Sequence, residues 1–136
     1  MKFTTLLGNQ RTIPKAKKYL INWSGSSRSK IQKKVKVFLE EFWKDQVVFE
    51  EFPIAGTRMS LDFYNANKKI AIEVQGAQHT KYVPFFHRRR SSFASQVKRD
   101  NDKMKFCELN NILFVEVYPT DTLNKTLFES QGVYLG

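Results

Sequence analysis

The chain has 136 residues, 41% of them hydrophobic and 12 of them Phe, which suits one domain with a true core and excludes wholesale disorder. Its net charge of +10, from 23 Lys+Arg against 13 Asp+Glu, points to a polyanionic partner, most simply nucleic acid, ahead of a membrane surface or an acidic protein. A single cysteine, Cys107, excludes an intrachain disulfide, and no apolar run approaches the ~20 residues that span a bilayer. No Cys/His spacing suits zinc and the N-terminus lacks the apolar region of a signal peptide, so the expectation is a soluble cytoplasmic protein in a reducing compartment.

Residues 1–27 read as a basic arm, with Pro14 opening a short helix through Trp23 and Gly25-Ser26-Ser27 breaking it. Ser29 starts a clearer helix, whose Ile31, Val35, Phe38, Leu39 and Phe42 recur every three or four residues. Lys30, Lys33, Lys34 and Lys36 mark its opposite face. Three strands follow: Val47 to Ile54, ended by the turn at Pro53 to Gly56; Arg58 to Tyr64; and Lys69 to Gln75, with a hairpin turn at Asn65 to Lys68. Alternation sets Met59, Leu61 and Phe63 against Arg58, Ser60 and Asp62, and Ile70, Ile72 and Val74 against Ala71, Glu73 and Gln75. Residues 80–92 are aromatic and basic without a clear period. A second helix is predicted from Phe93 to Asn110, with apolar Phe93, Val97, Met104, Cys107 and Leu109, and Ile112 to Tyr118 reads as a last buried strand. The domain core spans 28–119, and 120–136 is a C-terminal extension.

Asp62 and Glu73 are the residues to explain. Antiparallel strands joined by a short turn bring them within cross-strand reach, where two carboxylates repel unless one is protonated or a cation lies between them. Carboxylate oxygens that leave room for water are how Mg²⁺ is commonly held, and such an ion polarises a phosphodiester and acidifies an attacking water. Gln75 shares the face of Glu73 and can orient a water or a phosphate oxygen. The same pattern also suits the ordinary polar side of a hairpin. The cations cluster at Lys15 to Lys18, Arg28 to Lys36, Arg88-Arg89-Arg90 and Lys98 to Lys105, a distribution that fits a phosphate-tracking face or a merely solvated one. Asp100 and Lys103, three apart on the second helix, either join the acids or form a surface ion pair. Tyr82, Phe85 and Phe86 either stack on bases or pack beneath their loop. His87, among aromatics and arginines, reads as structural or phosphate-contacting.

The order helix, three-strand meander with Asp62 closing the second strand and Glu73-Val74-Gln75 in the third, helix, strand resembles the core of the PD-(D/E)XK nucleases. The stretches from Pro53 through Leu61-Asp62-Phe63 to Ile72-Glu73-Val74-Gln75-Gly76-Ala77-Gln78-His79, PFFHRRRSSF (84–93) and KRDNDKMKFCELNNI (98–112) are similar to very-short-patch-repair-like and phage free-standing homing endonucleases. The resemblance covers about Ser29 to Tyr118. It implies an α/β, restriction-endonuclease-like fold, a mixed sheet flanked by helices. It also implies a Mg²⁺- or Mn²⁺-dependent endonuclease on double-stranded DNA, with Asp62 and Glu73 as metal ligands and His79 as a base or water-positioning group. Gln75 departs from the family's lysine, a role Lys103 can fill. Gln32 departs from the first-helix acid, for which Glu40, Glu41, Glu50 or Glu51 can substitute, Glu51 being favoured. Lys30, Lys33, Lys34, Arg88, Arg89, Arg90, Lys98 and Arg99 are the expected DNA contacts.

The expected function is a site-specific homing endonuclease making double-strand breaks, with its two active sites from a homodimer or higher oligomer and, if phage-encoded, working in the host cytoplasm. A monomer favours the alternative, a nicking or structure-directed repair nuclease. A catalytically silent DNA-binding module is the rival outside enzymology, on account of Gln32 and Gln75. An RNA-binding protein would carry exposed aromatics on its sheet, which this pattern does not.

Overall fold

The protein is described by a computed structural model over residues 1–76 and 90–136, with residues 90–96 given by backbone alone. Two short strands, β1 (Lys2–Thr4) and β2 (Gln10–Thr12), form an antiparallel pair, followed by a 3₁₀ turn at Ala16–Tyr19. Next come α1 (Lys30–Trp43), β3 (Val48–Pro53), β4 (Ser60–Asn65) and β5 (Ile70–Val74). The chain continues through α2 (Arg90–Leu109), β6 (Leu113–Val117) and α3 (Lys125–Glu129). The main sheet runs β3-β4-β5-β6, antiparallel through the meander and parallel between β5 and β6. The fold is α/β, a mixed four-stranded sheet with helices packed on it.

Strand alternation divides the core in two. On β5, Ala71 joins Phe3, Phe52, Tyr64, Phe106 and Cys107, while Ile70 and Ile72 join Val35, Leu39 and Trp43 of α1 with Phe128, Val133 and Leu135 of the C-terminus. So α2 and the β1–β2 hairpin cover one face, and α1 with the last 17 residues (120–136) covers the other. Each fully buried Leu, Ile or Phe contributes roughly 1.5–3 kcal/mol, so both faces count.

Local chemistry explains most boundaries. The Ser29 hydroxyl caps α1 by accepting the Gln32 N–H at 3.1 Å. Asn111 ends α2 in the left-handed region, φ 57°, where Asn is the best tolerated residue after Gly. Beside it, the Asn110 amide accepts from Thr4 N–H (2.8 Å) and donates to Thr4 C=O (2.9 Å), which ties β1 to the end of α2.

Several expectations change. Residues 14–23 form only the 3₁₀ turn and no longer helix, and the hairpin before it places Phe3 and Ile13 in the core. Leu61 and Phe63 enter different core clusters instead of sharing a face. The alternation breaks next to them at Glu51, whose φ of 54° bends β3 so that Phe49 and Phe52, three apart, pack together. On α2, Val97, Met104 and Leu109 are exposed, and among its described side chains Phe106 and Cys107 are buried. Lys36 is not on a solvated face: it is fully buried.

Candidate functional site

The β4–β5 ladder pairs Asn65 with Ile70, Tyr64 with Ala71 and Phe63 with Ile72. One residue further on, side chains take over from the backbone. Glu73 Oε2 accepts the Asp62 N–H at 2.7 Å, and Asp62 Oδ2 accepts the Val74 N–H at 2.8 Å. Each carboxylate is thereby held by the other's strand, and both residues are buried, Asp62 at 7% and Glu73 at 3% exposure. The predicted cross-strand meeting of the two acids is present, and its cation is a side chain: α2 sends Lys103 Nζ to Glu73 Oε1 at 2.5 Å.

Burial raises both carboxyl pKa values. Asp62 is pushed up to about 6 by desolvation, against the Val74 hydrogen bond and the Lys103 charge, with Glu51 adding repulsion. Glu73 is pushed up to about 7 by desolvation and then by the Asp62 charge, with Lys103 opposing. Nearby Cys107, buried and facing the Glu73 charge, has its thiol pushed up to about 12, so it is an inert core residue.

The pair opens into a cavity of about 360 Å³, walled also by Arg28, Gln32, Gln75, Arg99 and Asp100. Gln32 Nε2 donates to Glu50 Oε2 at 2.9 Å and to Glu51 Oε2 at 3.3 Å. Glu51 also pairs with Arg28 at 2.5 Å and accepts from Ser60 at 3.3 Å. Gln32 and the favoured acid Glu51 thus meet, next to Asp62. Gln75 Nε2 donates to Glu116 Oε2 at 3.0 Å, an oxygen that also accepts from the Tyr118 hydroxyl at 2.9 Å.

The basic residues divide by what they already hold. Lys33 donates to the Gly25 carbonyl at 2.5 Å, and Lys98 pairs with Asp102 at 3.0 Å. Lys36 bonds Glu50 and the carbonyls of Asn22, Gly25 and Ser26, a structural role that removes it from any external surface. Lys30 and Lys34 are exposed beside a second cavity of about 270 Å³ lined by Tyr118 and Leu123, and exposed Arg99 lines the first. His79, Tyr82, Phe85, Phe86, His87, Arg88 and Arg89 lie outside the described residues, as does the side chain of Arg90.

Sequence reasoning missed Arg28 and Glu116 as neighbours of the site. Glu116 had a signal, an acid between Val115 and Val117 in a buried strand, and the parallel register sets it beside Glu73. Among the described residues, no group of three or more His, Cys, Asp or Glu converges as a metal site. No helix among them is long and apolar enough to cross a membrane.

No family model matches the chain, and no solved structure does. The chain is similar to three viral proteins that are themselves uncharacterized. It is 37% identical over 59 residues to protein 307L of Invertebrate iridescent virus 6, covering 43% of this chain and 30% of that one. It is 31% identical over 80 residues to protein 033L of Invertebrate iridescent virus 3, 59% of this chain and 41% of the other. It is 39% identical over 66 residues to protein 094L of Frog virus 3 (isolate Goorha), 48% of this chain and 43% of the other. The matches thus span less than half the length of these relatives.

Proposed function

We propose that the protein is a metal-dependent deoxyribonuclease that cuts phosphodiester bonds within double-stranded DNA, with Asp62 and Glu73 holding Mg²⁺ or Mn²⁺. The observation that carries this reading is the pair of buried carboxylates, each clamped by the other's strand and both open to a cavity walled by Arg28, Arg99 and Lys103. Structural carboxylates are usually saturated by partners or turned to solvent. Here two are held side by side in a cavity, at the cost of raised pKa values, which is how functional acids are commonly arranged.

The donor set fits a hard dication. It is all oxygen, and among the described residues Asp62 Oδ1 has no hydrogen-bond donor. A bound Mg²⁺ or Mn²⁺ would polarise the phosphodiester and acidify the attacking water. Lys103, paired with Glu73, would neutralise charge growing on the phosphate, the role a lysine at position 75 would otherwise take. Arg28, Arg99, Lys30 and Lys34 would bind flanking phosphates and make affinity salt-dependent. The order of elements around these residues resembles that of a PD-(D/E)XK core. On that resemblance, the finer reading is a site-directed cutter of both strands acting as a homodimer.

One observation favours a second reading, a catalytically silent DNA-binding module: Lys103 already offsets the charge of Glu73. Supercoiled plasmid incubated with wild type and Asp62→Ala, in Mg²⁺ or EDTA, separates the two. Mg²⁺-dependent linear bands from wild type only are the expected result, and nicked circles would assign a strand-nicking enzyme. No cleavage by either protein, with equal retardation of DNA, would leave the silent module.

A further inference from the structure

From the hydrogen bonds around Gln75, we infer that its amide oxygen is a third oxygen donor for a divalent cation at Asp62 and Glu73, and that Glu116 is the positioning residue that turns it there. The inference rests on the cation-binding reading above and deepens it.

An amide can present either its oxygen or its NH₂ to a site, and its environment decides which. Gln75 is buried, at 3% exposure, and lines the carboxylate cavity. Behind it stands Glu116, whose Oε2 takes the Gln75 amide hydrogen at 3.0 Å. An ionised carboxylate only accepts, so it selects the Gln75 nitrogen and leaves the oxygen for the opposite side. The Tyr118 hydroxyl, donating to the same Oε2 at 2.9 Å, fixes that carboxylate, while the Gln131 amide oxygen accepts the Glu116 N–H at 3.0 Å. A reversed amide would set its oxygen against the Glu116 carboxylate and its NH₂ toward the cavity.

The β5 register completes the geometry. Gln75 lies one residue past the end of β5, where its backbone N–H still bonds the Val117 carbonyl of β6 at 2.8 Å, so it continues the face of Glu73, while Asp62 crosses from β4 to the Val74 N–H between them. Asp62, Glu73 and Gln75, from β4, β5 and the residue just past β5, thus border one cavity, and of these three oxygen-bearing side chains two are acids. Two carboxylates and an amide oxygen make a hard, all-oxygen set with room for water, suited to Mg²⁺ or Mn²⁺ over zinc. It also gives position 75 a use that differs from a lysine's, since the ammonium in this site comes from Lys103 on α2.

The test is calorimetric titration of Mn²⁺ into the whole protein without DNA, for wild type, Asp62→Asn, Gln75→Leu and Glu116→Gln, with thermal melting to verify folding. Glu116→Gln keeps size and hydrogen-bonding capacity but no longer selects the amide orientation. It carries the test alone if Gln75→Leu does not fold. Expected are loss of binding in Asp62→Asn and weakening by about tenfold or more in both Gln75→Leu and Glu116→Gln, the size of effect usual for groups that orient ligands. Wild-type affinity in folded Gln75→Leu or Glu116→Gln, with binding lost in Asp62→Asn, would overturn the role of Gln75 and leave the acidic site standing. No Mn²⁺ binding by the wild type would overturn both.

Discussion

Among the described residues, two lysine–glutamate pairs lie largely out of solvent, Lys36 with Glu50 and Lys103 with Glu73, and they differ in what remains for a ligand. Lys36, with no exposed surface, meets Glu50 at 2.7 Å and also bonds three backbone carbonyls, while Glu50 further accepts from Ser27 and Gln32. Every strong polar group in that cluster has a partner within the chain, and its effect is to hold residues 22–26 against α1. Lys103 meets Glu73 at 2.5 Å but shares its one charge between two carboxylates, in a cavity. The first cluster is saturated and structural. The second carries one negative charge too many when both acids are ionised, and burial raises their pKa values accordingly. A buried ion pair alone therefore says little about function; the count of charges and open lone pairs distinguishes the two.

The largest effect should come from breaking the saturated cluster. Lys36→Met leaves Glu50 and three carbonyls without their ammonium, and denaturant unfolding should show a loss of about 3–5 kcal/mol. A loss below about 1 kcal/mol would mean that the cluster anchors nothing.

The unsaturated pair should respond to pH. Both carboxyls have folded-state pKa values above their unfolded ones of ~4, so between about pH 4 and pH 7 the folded state binds more protons than the unfolded chain. Their contribution therefore weakens the metal-free fold as pH rises through that window. Unfolding curves at pH 5 and pH 7.5 should differ less in Asp62→Asn than in wild type, by about 1–2 kcal/mol, since a tenfold change in proton affinity is worth ~1.4 kcal/mol. Equal pH dependence in the two proteins would show that the pair does not carry this strain.

Much of this contrast was legible in the sequence and part was not. Period-two alternation around Asp62 and Glu73 implies their meeting, because a short hairpin turn leaves little choice of register. Ser29 announces α1 through its capping hydroxyl. Lys36 misleads, since a lysine among Lys30, Lys33 and Lys34 reads as solvent-facing; nothing local reveals that Glu50 and three loop carbonyls surround it. The β1–β2 hairpin escapes notice because its strands are three residues each, too short to show a period. On α2 the apolar stripe misleads as well: the helix face over the acids is polar, with Lys103 on it, so Val97 and Met104 stay outside. Alternation alone puts Leu61 on the face of Phe63, whereas the two enter different core clusters.

A smaller effect should sharpen the boundary of the site. The Arg28–Glu51 pair is short, at 2.5 Å, but the Arg28 side chain is 69% exposed. Arg28→Ala should change stability by less than about 1 kcal/mol. The same substitution should lower DNA affinity and flatten its salt dependence in a filter-binding titration. Unchanged DNA affinity would remove Arg28 from the interface.

The central claim, that Asp62 and Glu73 are kept together for a divalent cation, is tested most directly by melting wild type and Asp62→Asn at pH 7.5 with and without millimolar Mg²⁺. Without metal, Asp62→Asn should melt at the higher temperature, because one of two repelling carboxylates is gone. With Mg²⁺, the wild type should gain several degrees and overtake the variant, which should not move. Melting temperatures that ignore Mg²⁺ in both proteins would contradict the claim.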